Sequence, residues 1–189
     1  MASVLLDTGP LVALSKRNDT HHARAVAWFK AQRRTLLTTQ AVIKEAWHLV
    51  SAPARLTLIR FAAAACEVCG SGAEGPLRIL SILERCADLP MDYSDAMLVD
   101  LAQTQRVNAI ATIDVGHFSV YRLANGKALG WCSDWARTSA LSASLARPRF
   151  DDLSGLHHRD VVGDVLDDAD GICGAKVQSL FLKVLSFDR

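Results

Sequence analysis

The first apolar run of the chain, Ala2-Ser3-Val4-Leu5-Leu6, ends at Asp7, and beyond Gly9-Pro10 a second apolar stretch reaches Leu14. A short run, a turn and a longer run predict a strand feeding a helix. Asn18, Asp19 and Thr20 are helix-capping types that precede Ala25, Trp28, Phe29 and Gln32 at helical spacing. The basic end of that segment, Arg33-Arg34, suits a helix C-terminus. Residues 35–38 predict a second strand. Thr39 then predicts the cap of a third helix, whose Val42, Ile43, Ala46, Trp47, Leu49 and Val50 make a broad apolar face ending before Pro53. Residues 54–65 continue helically.

In the second half, residues 66–76 read as a short strand-like piece followed by a Gly-rich turn, with Pro76 at a first helical position and a helix over 77–87. Asp92 or Ser94 caps a helix running to about Gln105, and residues 109–113 form a buried-type strand ending at Asp114. Such alternation predicts an α/β domain with a mostly parallel sheet between two helical layers and a ligand site at the carboxyl ends of its strands. After Tyr121-Arg122 the periodicity fades. Residues 130–189 hold nine Asp and no Glu, with one apolar stretch at helical spacing, residues 177–185. Asp favours caps and turns over helix interiors, so the expected division is a folded domain over 1–129 and a loop-rich, partly disordered C-terminal extension over 130–189.

Composition changes this picture little. Of 189 residues, 50% are hydrophobic and 22% charged, which is globular and far from the signature of disorder. The net charge of +1 divides unevenly: residues 1–129 carry 14 Lys/Arg against 11 Asp/Glu, residues 130–189 carry 7 against 9. An excess that small does not diagnose nucleic-acid binding, which must be argued from a site. The N-terminus lacks the basic region and cleavage pattern of a signal peptide. No apolar run approaches the roughly 18–20 residues of a membrane-crossing helix, so no membrane partner is expected. Five unevenly spaced cysteines fit reduced thiols and a cytoplasmic location better than a disulfide framework.

Four acids stand where acids are unusual: Asp7 and Asp114 at strand ends, Glu45 within an apolar helix face, and Asp95 just before Ala96-Met97-Leu98-Val99. Ionised side chains are rarely buried unless paired or coordinating metal. Two carboxylates about 4–5 Å apart at an effective dielectric near 20 repel by roughly 3–4 kcal/mol, and cations remove that cost. Carboxylate oxygens are the ligands Mg²⁺ and Mn²⁺ prefer, and such ions support phosphoryl displacement by water. Asp92 followed by Asp95 also resembles a capping box, which explains Asp92 without chemistry and leaves Asp95 the better ligand. Asp100 reads as solvated.

Four segments taken together, VLLDTGPLVAL, AVIKEAWHL, LPMDYSDAMLVDLA and AIATIDVGHFSVYR, resemble in order and spacing the successive motif blocks of the PIN-domain family, over about residues 3–123. The likeness is greatest to its VapC-like toxins. It implies a three-layer α/β/α PIN-like domain and a metal-dependent endoribonuclease held inactive by a cognate antitoxin. Asp7, Glu45, Asp95 and Asp114 would be the catalytic and metal-binding acids, with Mg²⁺ or Mn²⁺ as cofactor. RNA, the antitoxin and a second copy of the chain are the implied partners. One departure is His117, where family members often carry an acid. Together with the unusual tail it keeps open a second reading, a catalytically silent PIN fold acting as a protein-binding or autoregulatory module.

Other signals are weaker. Residues 70–75 spell G-x-G-x-x-G, but the strand before them is short and no strand ending in an acid follows at the proper distance, so a loop is expected rather than a dinucleotide site. Cys66, Cys69 and Cys86 lack the fourth ligand of a structural zinc site. The apolar residues of 42–50 and 56–61 are expected to offer a groove for an amphipathic helix.

Overall fold

A computed structural model of the chain describes residues 2–132 and Trp135. The elements run β1 (Ser3–Leu6), α1 (Thr8–Ser15), α2 (His22–Ala31), β2 (Thr35–Thr39), α3 (Gln40–Leu49), α4 (Ala52–Ala65), β3 (Cys66–Cys69), α5 (Gly75–Arg85), α6 (Tyr93–Thr104), β4 (Ala109–Ala111), α7 (Val115–Val120) and β5 (Gly130–Trp131). The five strands form one sheet in the order β3-β2-β1-β4-β5, and every pair is parallel.

Parallel neighbours need crossovers, and these turn right-handed. Going from β1 out to β3 therefore puts α1 to α4 on one face, and returning to β4 puts α5 and α6 on the other. The packing agrees, since α1 lies against α2, α3 and α4 while α5 lies against α6. Central β1 is covered on both faces, which is why Val4, Leu5 and Leu6 form an unbroken apolar run with no exposure. Because all five strands point the same way, their carboxyl ends share one edge.

Four expectations are corrected. First, the sheet does not end at residue 129. Gly130 and Trp131 pair with Ala109 and Ile110, Cys132 is buried, and Trp135 packs edge-on against Trp28 with ring centroids 5.4 Å apart. The other readings of the extension, including the apolar stretch 177–185, lie outside the described residues. Second, Asp100 is not solvated: it is 2% exposed and receives a two-pronged bond from Arg78, Nε to Oδ1 at 2.6 Å and Nη2 to Oδ2 at 2.9 Å. Arg78 Nη2 also donates to the Ser71 carbonyl, which ties the Gly-rich turn to this pair. Third, α2 is capped by His21 with no side-chain bond, while Asp19 accepts the His21 amide instead. Fourth, Val42, Ala46, Val50, Leu58 and Phe61 are core residues, and the exposed large apolar side chains of this helix pair are Leu49, Leu56 and Ile59.

Candidate active site

A cleft of about 690 Å³ opens at the carboxyl edge of the sheet. It brings together the four acids singled out from the sequence. Asp7 leaves the end of β1, where the chain must turn into α1, and as the helix N-cap it accepts the Thr8 amide on Oδ1 at 2.7 Å. Glu45 lies on α3, Asp95 in the first turn of α6, and Asp114 is the N-cap of α7, accepting the His117 amide at 3.1 Å. Helix starts are partially positive, so each of these caps suits a carboxylate.

Two further acids line the same cleft, Asp19 and Asp92, and among the described residues that line it there is no Lys or Arg. Asp92 is the N-cap of α6 and accepts the Asp95 amide at 2.8 Å. Asp95 does not return the bond. Its Oδ2 instead accepts from the Tyr121 hydroxyl at 2.9 Å, so the capping-box spacing is only half used. His117 Nδ1 lies 2.9 Å from Asp114 Oδ2, at the open side of the cleft where both are about half exposed.

Hydroxyl groups hold the other acids. Thr112 Oγ1 donates to Asp7 Oδ2 at 2.6 Å and accepts the Asp114 amide at 2.9 Å, linking two of the acids through one side chain. Thr8 and Ser94 hydroxyls both reach Glu45 Oε2 at 2.7 Å, leaving its second oxygen outside those bonds. Ser94 Oγ also sits 2.9 Å from Asp92 Oδ1, and its single proton serves one carboxylate at a time. Sequence pattern singles out none of Thr8, Ser94, Thr112 and Tyr121 as a site residue; Ser94 reads only as an alternative cap of α6, which Asp92 provides.

Burial sets the electrostatics. Asp7 is 8% exposed, and desolvation pushes its carboxyl up to about 7, against the lowering bonds from Thr112 and Thr8 and with added repulsion from Asp95 and Glu45. Desolvation likewise carries Asp95 to about 6, with Asp92 and Glu45 adding repulsion. Burial and the bond to Asp95 raise the Tyr121 phenol, which stays a proton donor. Among the described residues no three of these side chains close into a finished ligand set. The donor chemistry nevertheless fits a hard divalent cation: the polar lining is dominated by carboxylate oxygens, with no thiol, and among the described residues that line it His117 is the one basic side chain, with no Lys or Arg. Cys66 and Cys69 stand apart on edge strand β3 as free thiols.

The PIN-domain family model matches residues 4–123, well over half of the chain, and the chain belongs to that family. Among solved structures the fold is similar to that of Mycobacterium tuberculosis VapC20, described as a sarcin–ricin loop cleaving toxin. The TM-score is 0.56 at 17% identity, covering 60% of this chain and 92% of that one. No curated protein sequence matches the chain.

Proposed function

We propose that the chain is a metal-dependent endoribonuclease of the toxin kind, acting on RNA in the cytoplasm under the control of a cognate antitoxin. The observation that carries this reading is the convergence of Asp7, Glu45, Asp95 and Asp114 on one cleft that, among the described residues, no Lys or Arg lines. An anionic RNA backbone is repelled by such a lining unless cations intervene. Asp7, Glu45, Asp95 and Asp114 would hold Mg²⁺ or Mn²⁺, which supplies charge neutralisation and water activation for phosphodiester hydrolysis. Thr112 fixes the Asp7 carboxyl, and Thr8 and Ser94 fix Glu45, so the acids are oriented before substrate arrives. His117, beside Asp114 at the open side, is placed to meet a substrate phosphate.

Two partners are part of the proposal. Leu49, which lines the cleft and is exposed, together with exposed Leu56 and Ile59, supports an antitoxin helix seated beside the site. A homodimer is proposed by likeness to VapC-like toxins. Among the described residues no helix is long and apolar enough to cross a membrane.

The test is an RNA cleavage assay on a sarcin–ricin loop hairpin and on total RNA, with Mg²⁺, with Mn²⁺ and with chelator. Cleavage should require the divalent ion and vanish in Asp7→Asn. A variant that cleaves as fast as wild type at saturating metal would refute the site. RNA binding by wild type without cleavage at any metal concentration would favour the catalytically silent module.

A further inference from the structure

We propose that Tyr121 is a positioning residue for Asp95, and that through it helix α7 sets the spacing between Asp95 and Asp114. The proposal rests on the reading of Asp95 and Asp114 as metal-site acids and names the device that orients one of them.

Tyr121 is 1% exposed, and its ring stands edge-on to Phe118 with centroids 5.3 Å apart and planes at 78°. Packed this way, the ring has little room to swing, so the hydroxyl is delivered to a fixed point. At that point it meets two acceptors, Asp95 Oδ2 at 2.9 Å and the Pro90 carbonyl at 3.0 Å. A phenol has one proton to give, and a buried hydroxyl must be partnered. The two acceptors bracket the turn that starts α6, one just before the Asp92 cap and the other in the first helical turn. Shared between these two acceptors, the one Tyr121 proton ties the carboxyl to the turn from which it projects.

Asp7, Asp92 and Asp114 each have a local backbone holder, whereas Glu45 is held by the distant Thr8 and Ser94 hydroxyls. Asp7 takes a bond from the adjacent Thr8 amide, and Asp92 takes one from Asp95 three residues on. For Asp95, among the described residues, Tyr121 is the one side chain that donates to its carboxyl, and it comes from 26 positions later. Its place in the chain adds a second constraint. Asp114 is the N-cap of α7 and Tyr121 is its C-cap residue. The six-residue helix, about 9 Å long at 1.5 Å per residue, thus has one acid at its start and the holder of another at its end. Gly116 and His117, which line the cleft, lie on that same helix.

Tyr121→Phe keeps the ring and its packing on Phe118 and removes only the hydroxyl. Outer-shell partners of metal-binding side chains are worth about 10–100-fold in affinity. The full-length variant should therefore bind Mn²⁺ about tenfold more weakly, read by the electron-paramagnetic signal of free Mn²⁺. RNA cleavage should need correspondingly more Mn²⁺ but recover at saturation, a change in the metal requirement rather than in kcat. In the metal-free variant, amide exchange should quicken over residues 91–96 and stay unchanged in β1. In the Asp95→Asn background the same substitution should cost much less Mn²⁺ affinity, because the carboxylate it orients is gone. Wild-type Mn²⁺ affinity with unchanged exchange would overturn the proposal, as would a uniform loss of protection across the sheet, which would make Tyr121 a prop of the whole domain. If wild type binds no Mn²⁺, the metal reading fails, and Tyr121 is then judged by exchange alone: quickening confined to residues 91–96 upholds it and unchanged exchange refutes it.

Discussion

Thr112 and Asp7, 105 positions apart in the chain, meet through a 2.6 Å hydrogen bond inside the sheet edge. Even with that bond the Asp7 carboxyl keeps its proton to about pH 7, because burial outweighs it. In the unfolded chain the proton leaves near the ordinary 3.8. Between those values the folded state binds more protons, so stability is greatest at the acid side and falls as pH rises through 4 to 7. A shift of that size corresponds to on the order of 4 kcal/mol for Asp7 at full ionisation, and Asp95, raised to about 6, acts in the same direction. Metal-free protein should therefore melt higher at pH 5.5 than at pH 8, and Mg²⁺ should raise the pH 8 value more than the pH 5.5 value. Thermal melts at both pH values with and without Mg²⁺ decide it. A metal-free protein more stable at pH 8 would contradict the burial assigned to Asp7.

Replacing Asp7 by Asn keeps an oxygen for the Thr8 amide and removes the charge that burial opposes. We expect Asp7→Asn to abolish divalent-dependent cleavage while raising the melting temperature of the metal-free protein at pH 8. At pH 5.5, where the wild-type acid is already protonated, the gain should shrink. Calorimetry at both pH values checks the pair of outcomes. A variant destabilised at pH 8 would show that the carboxylate is held by more than the bonds described.

Gly9 owes its place to Ile113. A Cβ at position 9 would stand 3.0 Å from Ile113 Cβ, 3.1 Å from Cγ1 and 3.2 Å from Cδ1. Ile113 lies between Thr112 and Asp114, so any retreat moves the two residues that link Asp7 to α7. Gly9→Ala should cost about 1–3 kcal/mol as an overpacked contact and reduce cleavage even at saturating metal. Ile113→Ala, which removes two of the three crowding atoms, should restore part of both losses. Full activity in Gly9→Ala would mean that α1 can move away from β4 without disturbing the acids.

Much of the candidate site was legible because acids interrupt apolar runs, and the structure brings those acids to one cleft. Asp7 directly follows β1, Asp114 comes three residues after β4, which is shorter than the 109–113 run suggested, and Glu45 breaks an apolar helix face, so each carries a local signal. Tyr121, Ser94 and Thr112 carry none: a hydroxyl near a helix end is ordinary, and its bond to an acid depends on folding distances of 26, 49 and 105 residues. Asp100 was misread for the same reason, since Arg78 reaches it from a different helix. Strand β5 is two residues long, too short for any alternation to show, and its existence follows from β4 offering an open edge. Asp19 looked like a cap and does accept a backbone amide, but its place on the cleft comes from the turn before α2.

That fifth strand decides where the chain can be cut. A chain ending at residue 129 loses β5, buried Cys132 and Trp135, whose ring packs on Trp28 and whose carbonyl accepts from Arg24 Nη2 at 2.8 Å. Arg24 also lies over the Trp135 ring, 4.3 Å from its centroid, and Arg34 Nη2 reaches Cys132 Sγ at 2.6 Å. Removing a buried Trp alone costs about 3–5 kcal/mol, a large part of the roughly 5–15 kcal/mol that holds a domain together. We therefore expect the 1–129 chain to be poorly soluble or to melt well below the full chain, and Trp135→Ala in the full chain to reproduce much of that loss. A chain ending at Ala140 retains every described contact and should fold. It should also cleave RNA, because the four acids and their hydroxyl partners all precede Gly130. Circular-dichroism melts and the cleavage assay on both truncations separate the cases. A stable 1–129 chain would show that β5 and Trp135 contribute little, while a folded but inactive 1–140 chain would show that a group beyond residue 140 takes part in the reaction.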